Sequence, residues 1–189
     1  LELGLNQAER LGRALENVLI SGSLRTGRQT LSMEVVDVGE LLDNIESDHL
    51  GVGLDIRVEK RPLFASADEH AFRIILENLL DNARKYGGDA EQGIQLSARD
   101  VDGKLEVVVT DEGIGFEPAD AESLFAPFER GVAAKKTPGM AGTGLGLTIS
   151  RELARRMGGE LEATSEGPSR GSTFRLTLRL SEKKEDAGP

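Results

Sequence analysis

Cysteine is missing from the chain, and with it every disulfide and every thiolate metal site. Tryptophan is absent too, and aromatic residues are only 4% of the 189 positions, so two aromatics close together stand out. Two histidines occur, His49 and His70, too few for a histidine-rich metal centre. No apolar run approaches the roughly 18 residues that cross a bilayer, and no basic-then-apolar leader opens the chain. Basic charge is also short: 23 Lys and Arg stand against 33 Asp and Glu, a net charge of −10. A surface of that sign argues against broad nucleic-acid binding, which needs a basic face to neutralise phosphates. It leaves room for a nucleotide, whose few charges can be met locally by a metal ion, a lysine and backbone N–H groups. The first residue is Leu1 rather than Met, so the chain reads as a piece of a longer protein whose other parts could hold membrane segments.

What is present suffices for one compact domain with a short extension. Hydrophobic residues at 38% and charged ones at 30% belong to a soluble globular chain, expected here in the cytoplasm. Through residue 26, Leu5, Ala8, Leu11, Leu15, Val18, Leu19 and Gly22 recur at helical steps on one stripe. One helix cannot bury such a stripe alone; it either pairs with a second copy or packs back on its own domain. A turn at Arg25-Thr26-Gly27-Arg28 follows, then a strand over Leu31–Val36 and a helix over Val38–Ser47. Leu54–Glu59 alternates like a half-buried strand. Asp68 caps a long helix that ends near Tyr86 at Gly87-Gly88. Ile94–Arg99 and Leu105–Thr110 are strands joined by Asp102-Gly103, a strong hairpin signal. The segment 116–146 is rich in Gly, Pro and Ala, and a connection that long is usually functional, often a lid. A helix over Leu147–Met157 and strands over Glu160–Thr164 and Thr173–Leu180 close the domain. Residues 182–189 form a charged tail with nothing to bury. The mixture of hairpins and helices reads as an α/β (α+β) two-layer sandwich.

Four motifs carry chemistry. Within the long helix, Asn78, Asn82 and Lys85 share one stripe beside the apolar face of Phe72, Ile75, Leu76, Leu79 and Ala83. Asn is a poor mid-helix residue, so two of them a turn apart point to a polar face kept for a ligand. Amide oxygens suit Mg²⁺, and a lysine meets phosphate as a point charge. The plainer reading is a solvated face with an acid–lysine ladder. Next, Asp111-Glu112-Gly113-Ile114-Gly115-Phe116 follows an apolar strand. It is either a simple turn or a carboxylate at the sheet edge, placed to accept a hydrogen bond from an exocyclic amine and so select adenine. Third, Phe125-Ala126-Pro127-Phe128-Glu129-Arg130 holds two aromatics that read as hydrophobic anchors for a loop, with Arg130 free to reach a phosphate. Fourth, Gly142-Thr143-Gly144-Leu145-Gly146-Leu147 opens a helix, where exposed N–H groups and the helix dipole favour an anion. Its spacing is neither the dinucleotide G-x-G-x-x-G nor a Walker loop, and a flexible linker is its plain alternative.

In this order the motifs resemble those of the sensor histidine kinases of two-component signalling, within the Bergerat ATP-binding superfamily that also holds gyrase, mismatch-repair and heat-shock chaperone ATPases. The resemblance covers roughly residues 30 to 180. It implies a mixed, mostly antiparallel sheet covered on one face by about three helices, with ATP between the helices under a mobile lid. By the same resemblance Asn82 ligates Mg²⁺ with help from Asn78, Lys85 contacts phosphate and Tyr86 borders the ribose or adenine. Asp111 binds the adenine amine, supported by Gly113 and Gly115. Gly142, Thr143, Gly144, Leu145 and Gly146 wrap the phosphates, Arg130 approaches the γ-phosphate and Thr173 lies beneath the adenine. Asn78, Lys85 and Arg130 form the catalytic set. Lys135 and Lys136 are further phosphate contacts or a solvated pair.

The resemblance also implies that residues 1–27 are the second helix of a dimerising, phosphoacceptor hairpin, ahead of an ATP-binding domain over 28–181. The first helix, with its histidine, is not in this chain, and His49 and His70 are poor substitutes. The piece is therefore expected to bind ATP without efficient autophosphorylation. The parent would pass a phosphoryl group from Mg·ATP to that histidine and on to a response regulator. Gyrase-like ATPases place a catalytic Glu where Asn78 stands, and Asn cannot act as a general base, which favours a kinase. An ATP-sensing or inactive-kinase interaction module is the alternative. A serine kinase of the anti-sigma type shares the ATP fold, but the N-terminal helix speaks against it.

Overall fold

The computed structural model describes residues 20, 22, 30–49, 53–87, 93–129 and 144–182. The expected N-terminal helix and the turn after it lie outside these, except that Ile20 and Gly22 are helical and Ile20 is buried with the core. Among the described residues, strand β1 (Glu34–Asp37) leads into helix α1 (Val38–Asp48), then β2 (Leu54–Val58) and β3 (Phe64–Ala67). Helix α2 (Glu69–Tyr86) follows, then β4 (Ile94–Val101) and β5 (Lys104–Asp111). Two short 3₁₀ turns, Pro118–Asp120 and Ser123–Phe125, precede helix α3 (Gly146–Arg156), β6 (Glu160–Thr164) and β7 (Ser172–Arg179).

Five strands form one sheet in the order β2-β4-β5-β7-β6. Only the β2–β4 pair is parallel, and α2 lies in the crossover that such a pair requires. β4 and β5 make the expected hairpin, with Asp102 at φ 52° and Gly103 at φ 78°, the double left-handed turn that matches strand twist. β1 and β3 form a separate antiparallel pair, joined to the sheet by a bridge between Ala65 and Leu180. β3 is the strand that sequence patterning passed over: at four residues and Ala-rich, it takes its conformation from its partner. β1 itself starts later than expected, and the backbone N–H of Ser32 is held by Asp68 instead.

Sheet alternation assigns the two layers. Leu96, Ala98, Leu105, Val107, Val109, Leu161, Leu176 and Leu178 point to one side and are buried. Helices α1, α2 and α3 cover that side with Leu41, Leu42 and Ile45, with Phe72, Ile75, Leu76 and Leu79, and with Ile149 and Leu153. The other face is polar, centred on Glu106, which Arg99 and Arg175 both approach. No helix among the described residues is long and apolar enough to cross a membrane.

Asp68 sets where α2 begins. Its carboxylate accepts from the N–H of Ala71 at 2.8 Å as N-cap, and from the N–H of Ser32 at 2.7 Å. Asp68→Ala removes both acceptors. It is expected to cost about 1–2 kcal/mol, read as a lower urea midpoint with unchanged slope.

Candidate functional site

β5 ends on Asp111, whose side chain points into the helical layer and is 4% exposed. Its carboxylate accepts from the N–H of Gly113 at 2.9 Å, and Ser172 stands opposite it across the β5–β7 pair. Burial pushes this carboxyl above the usual range, and the hydrogen bonds from Gly113 and Ser172 offset only part of that rise. Three chain segments meet here because glycine lets them. Gly113 lies so close to the Tyr86 carbonyl and Gly87 that any side chain would collide, and Ile114 N–H donates to that carbonyl at 2.9 Å. Gly171, at φ 69°, donates to the Gly113 carbonyl at 3.1 Å, and a side chain there would strike the Asp111 carbonyl. The end of α2, the turn after β5 and the start of β7 are thus locked around one carboxylate.

The second half of the site lies between α2 and α3. The Asn78 amide nitrogen donates to the Gly146 carbonyl at 3.3 Å and to the Ser150 hydroxyl at 3.1 Å. Asn78 therefore joins the two helices, and it satisfies Ser150, which is fully buried. Any side chain on Gly146 would come within 3.2 Å of the Asn78 amide oxygen. The N-cap of α3 is Leu145, which supplies no side-chain acceptor to the first-turn N–H groups. The N-terminus of a helix favours an anion.

One turn beyond Asn78, the half-buried Asn82 makes no side-chain hydrogen bond among the described residues. Its amide oxygen is the kind of donor a hard cation takes, and no cluster of acidic or imidazole groups among those residues could hold a metal by itself. The fit is thus to a metal arriving with phosphates. Lys85 is paired with Asp81, four residues back on α2, so part of the acid–lysine ladder exists. Tyr86 is half-buried at the helix end beside Gly113.

Other expected residues fall elsewhere. Thr173 pairs with Thr110 on the polar face, its hydroxyl 3.4 Å from the Thr110 hydroxyl, and so lies on the far side of the sheet from Asp111. The alternation of a strand decides this, since neighbours point to opposite faces. Ser172, not Thr173, lies on the Asp111 side of the sheet, and the period-two pattern of Phe174, Leu176 and Leu178 could have shown it. Gly115, at φ 56°, packs on the carbonyl of Gly167 rather than on Asp111. Gly144 accepts from Phe128 N–H at 3.1 Å, and Leu145 is buried. Of the two anchor phenylalanines only Phe125 is buried; Phe128 is 73% exposed, and its backbone at φ 62° turns it out of the core. Glu77 faces away from the Asn78 side and meets His49 at 3.0 Å, while His70 is exposed. Arg130, Lys135, Lys136, Gly142 and Thr143 lie outside the described residues.

The site thus joins a buried carboxylate at the end of a sheet strand to a pair of helices bridged by Asn78. Residues 67–182 match the family model of histidine kinase-, DNA gyrase B- and HSP90-like ATPases, and the chain belongs to that family. Its relatives narrow the kind. The sensor histidine kinase MtrB of Mycolicibacterium paratuberculosis is 34% identical over 185 residues, which cover 95% of this chain and 32% of the relative. The solved structure of full-length ShkA in complex with AMPPNP is 26% identical with a TM-score of 0.76, over 93% of this chain and 37% of that one. The mycobacterial sensor histidine kinase MprB is 25% identical with a TM-score of 0.65, over 79% of this chain and 98% of that one. The chain carries an ATPase domain of this family, similar to that of sensor histidine kinases, and it spans about a third of the length of MtrB.

The raised pKa of Asp111 means the fold favours its neutral form. The stability this contributes is complete below the ordinary carboxyl value and is lost as pH rises through the folded value. Asp111→Asn resembles that neutral form, so its stability advantage over the parent chain should grow as pH rises from 4.5 to 8, measured by urea unfolding. A constant difference would show that the carboxylate carries no burial cost. Ser172→Ala removes a donor worth about 1 kcal/mol and should weaken adenine-nucleotide binding several-fold, while Thr173→Ala leaves it unchanged, both read by calorimetry.

Proposed function

We propose that residues 28–181 bind Mg·ATP between α2 and α3 and present its γ-phosphoryl group to a histidine on a helical hairpin, for relay to a response regulator. The observation that carries this is the Asn82 amide on α2, which has no hydrogen-bond partner among the described residues and lies between the Asn78 link to α3 and the Asp111 pocket. The ShkA structure, solved in complex with AMPPNP, supports a nucleotide in this fold. Asp111 accepts from the adenine amine, which guanine cannot offer at that position. Ser172 holds the carboxylate in place, and Tyr86 with Gly113 borders the purine. Asn82, assisted by the Asn78 oxygen, holds the metal, which when bound supplies charge neutralisation along the phosphates. Lys85 meets a phosphate, and Gly144, Leu145 and Gly146 turn the first N–H groups of α3 toward the chain of phosphates. The protein's share of the reaction is positioning and electrostatics. Residues 1–27, as the second helix of the hairpin, give the homodimer.

Calorimetric titration with ADP and GDP, each with and without Mg²⁺, tests the site. Adenine-selective binding strengthened by Mg²⁺ is expected, and binding of neither nucleotide would favour an interaction module that has lost catalysis. Asn82→Ala should lose the Mg²⁺-dependent part of the affinity, tenfold or more for a loss of about 1.4 kcal/mol, with circular dichroism unchanged. Phosphoryl transfer to a supplied hairpin histidine separates an active kinase from an inactive one.

A further inference from the structure

α3 is held from two sides, and only one of them is explained by the nucleotide site. Asn78 grips it through Gly146 and Ser150. From the opposite direction the segment after the Asp111 turn is fastened to it by three separate contacts. Arg151 donates in a fork to Glu122, at 2.6 Å and 2.8 Å. The same guanidinium lies over the Phe125 ring, 4.3 Å from its centroid. The Thr148 hydroxyl donates to the Phe125 carbonyl at 2.9 Å. Arg151 is unusual among surface helix residues in being only 12% exposed while its partner Glu122 is 81% exposed. Its Nε is buried without an acceptor. A buried orphan donor is costly, so the side chain is held in this pose by the fork and the ring together.

We infer that Arg151 is a positioning residue for the phosphate end of the nucleotide site: its grip on Glu122 and Phe125 sets the first turn of α3 relative to the Asp111 pocket. This rests on the ATP reading above. The chain path makes the link direct. The 122–128 segment leaves the Asp111 turn and returns to α3 where Phe128 N–H meets the Gly144 carbonyl at 3.1 Å. Gly144, Leu145 and Gly146 therefore sit between two fixed points, the Phe128 contact and the Arg151–Thr148 clasp. Asp111 has its own lock, made by Gly87, Gly113, Gly171 and Ser172, and does not use Arg151. Loosening the clasp should then affect the phosphate end and spare the adenine end. A lysine in place of Arg151 keeps the charge but loses the fork and the flat ring contact.

Arg151→Ala and Arg151→Lys are compared with the parent chain in two measurements. In the first, ATP and adenosine displace a fluorescent ADP analogue. Arg151→Ala is expected to lower ATP affinity at least tenfold with adenosine changed less than twofold, and Arg151→Lys to fall between. Equal losses for both ligands, or no loss for either, would overturn the assignment. In the second, amide hydrogen exchange of the nucleotide-free chain should quicken tenfold or more at 122–128 and 144–149 in Arg151→Ala and stay unchanged at 111–116. Unchanged exchange at 122–128 overturns the clasp. The paired reversal Glu122→Arg with Arg151→Glu should restore much of the protection that Arg151→Glu alone removes. If the parent chain binds no nucleotide, the ATP reading fails, and the exchange measurement still decides whether the clasp exists.

Discussion

The Asn78 amide is the contact on which the site geometry depends. A single side chain on α2 donates to the first residue of α3 and to a buried serine one turn further on. It sets the distance between two helices that otherwise meet through apolar side chains, which slide more easily than hydrogen bonds. The fully buried Ser150 would be an unmet polar group without it. Asn in a helix interior costs propensity, and here that cost is offset by tertiary hydrogen bonds to α3.

Around this link the molecule divides into a rigid end and an open end. At the rigid end Asp111 is enclosed by glycines on three segments, a close packing of backbone on backbone that no larger residue would allow. Burial disfavours the charged form of an ionisable group in such a place, and the Asp111 carboxyl is pushed above its usual range. That is the kind of local conflict expected where a site is kept ready for a polar partner. At the other end the N-cap Leu145 supplies no side-chain cap, and among the described residues Asn82 makes no side-chain hydrogen bond and Lys85 pairs with its helical neighbour Asp81.

Most of the architecture could be read from the chain. Periodicity places α1, α2, α3 and five of the strands within a residue or two, because each has a strong apolar pattern and a stop such as Gly87 or Gly158. β3 was not legible, since four residues with two alanines carry little pattern and are extended only because β1 pairs with them. Among site residues, the structure sets Asn78 against α3 and buries Asp111 at the end of β5. Thr173 misled because a resemblance carries residue types without strand parity, and parity puts Ser172 under Asp111. Phe128 misled because an aromatic beside a proline reads as an anchor, while its left-handed backbone turns it outward.

The sequence by itself determined the layers, the hairpin at Asp102-Gly103 and the order of the nucleotide motifs, because these follow from local periods and turn chemistry. It also determined the family, because four motifs in one order are more specific than any one of them. Only the tertiary structure decided which of Ser172 and Thr173 serves Asp111, that Asn78 is spent on α3, and that Arg151 clasps Glu122 and Phe125. Those outcomes join residues far apart in the chain, and no local pattern encodes which side chains will meet across a packed interface.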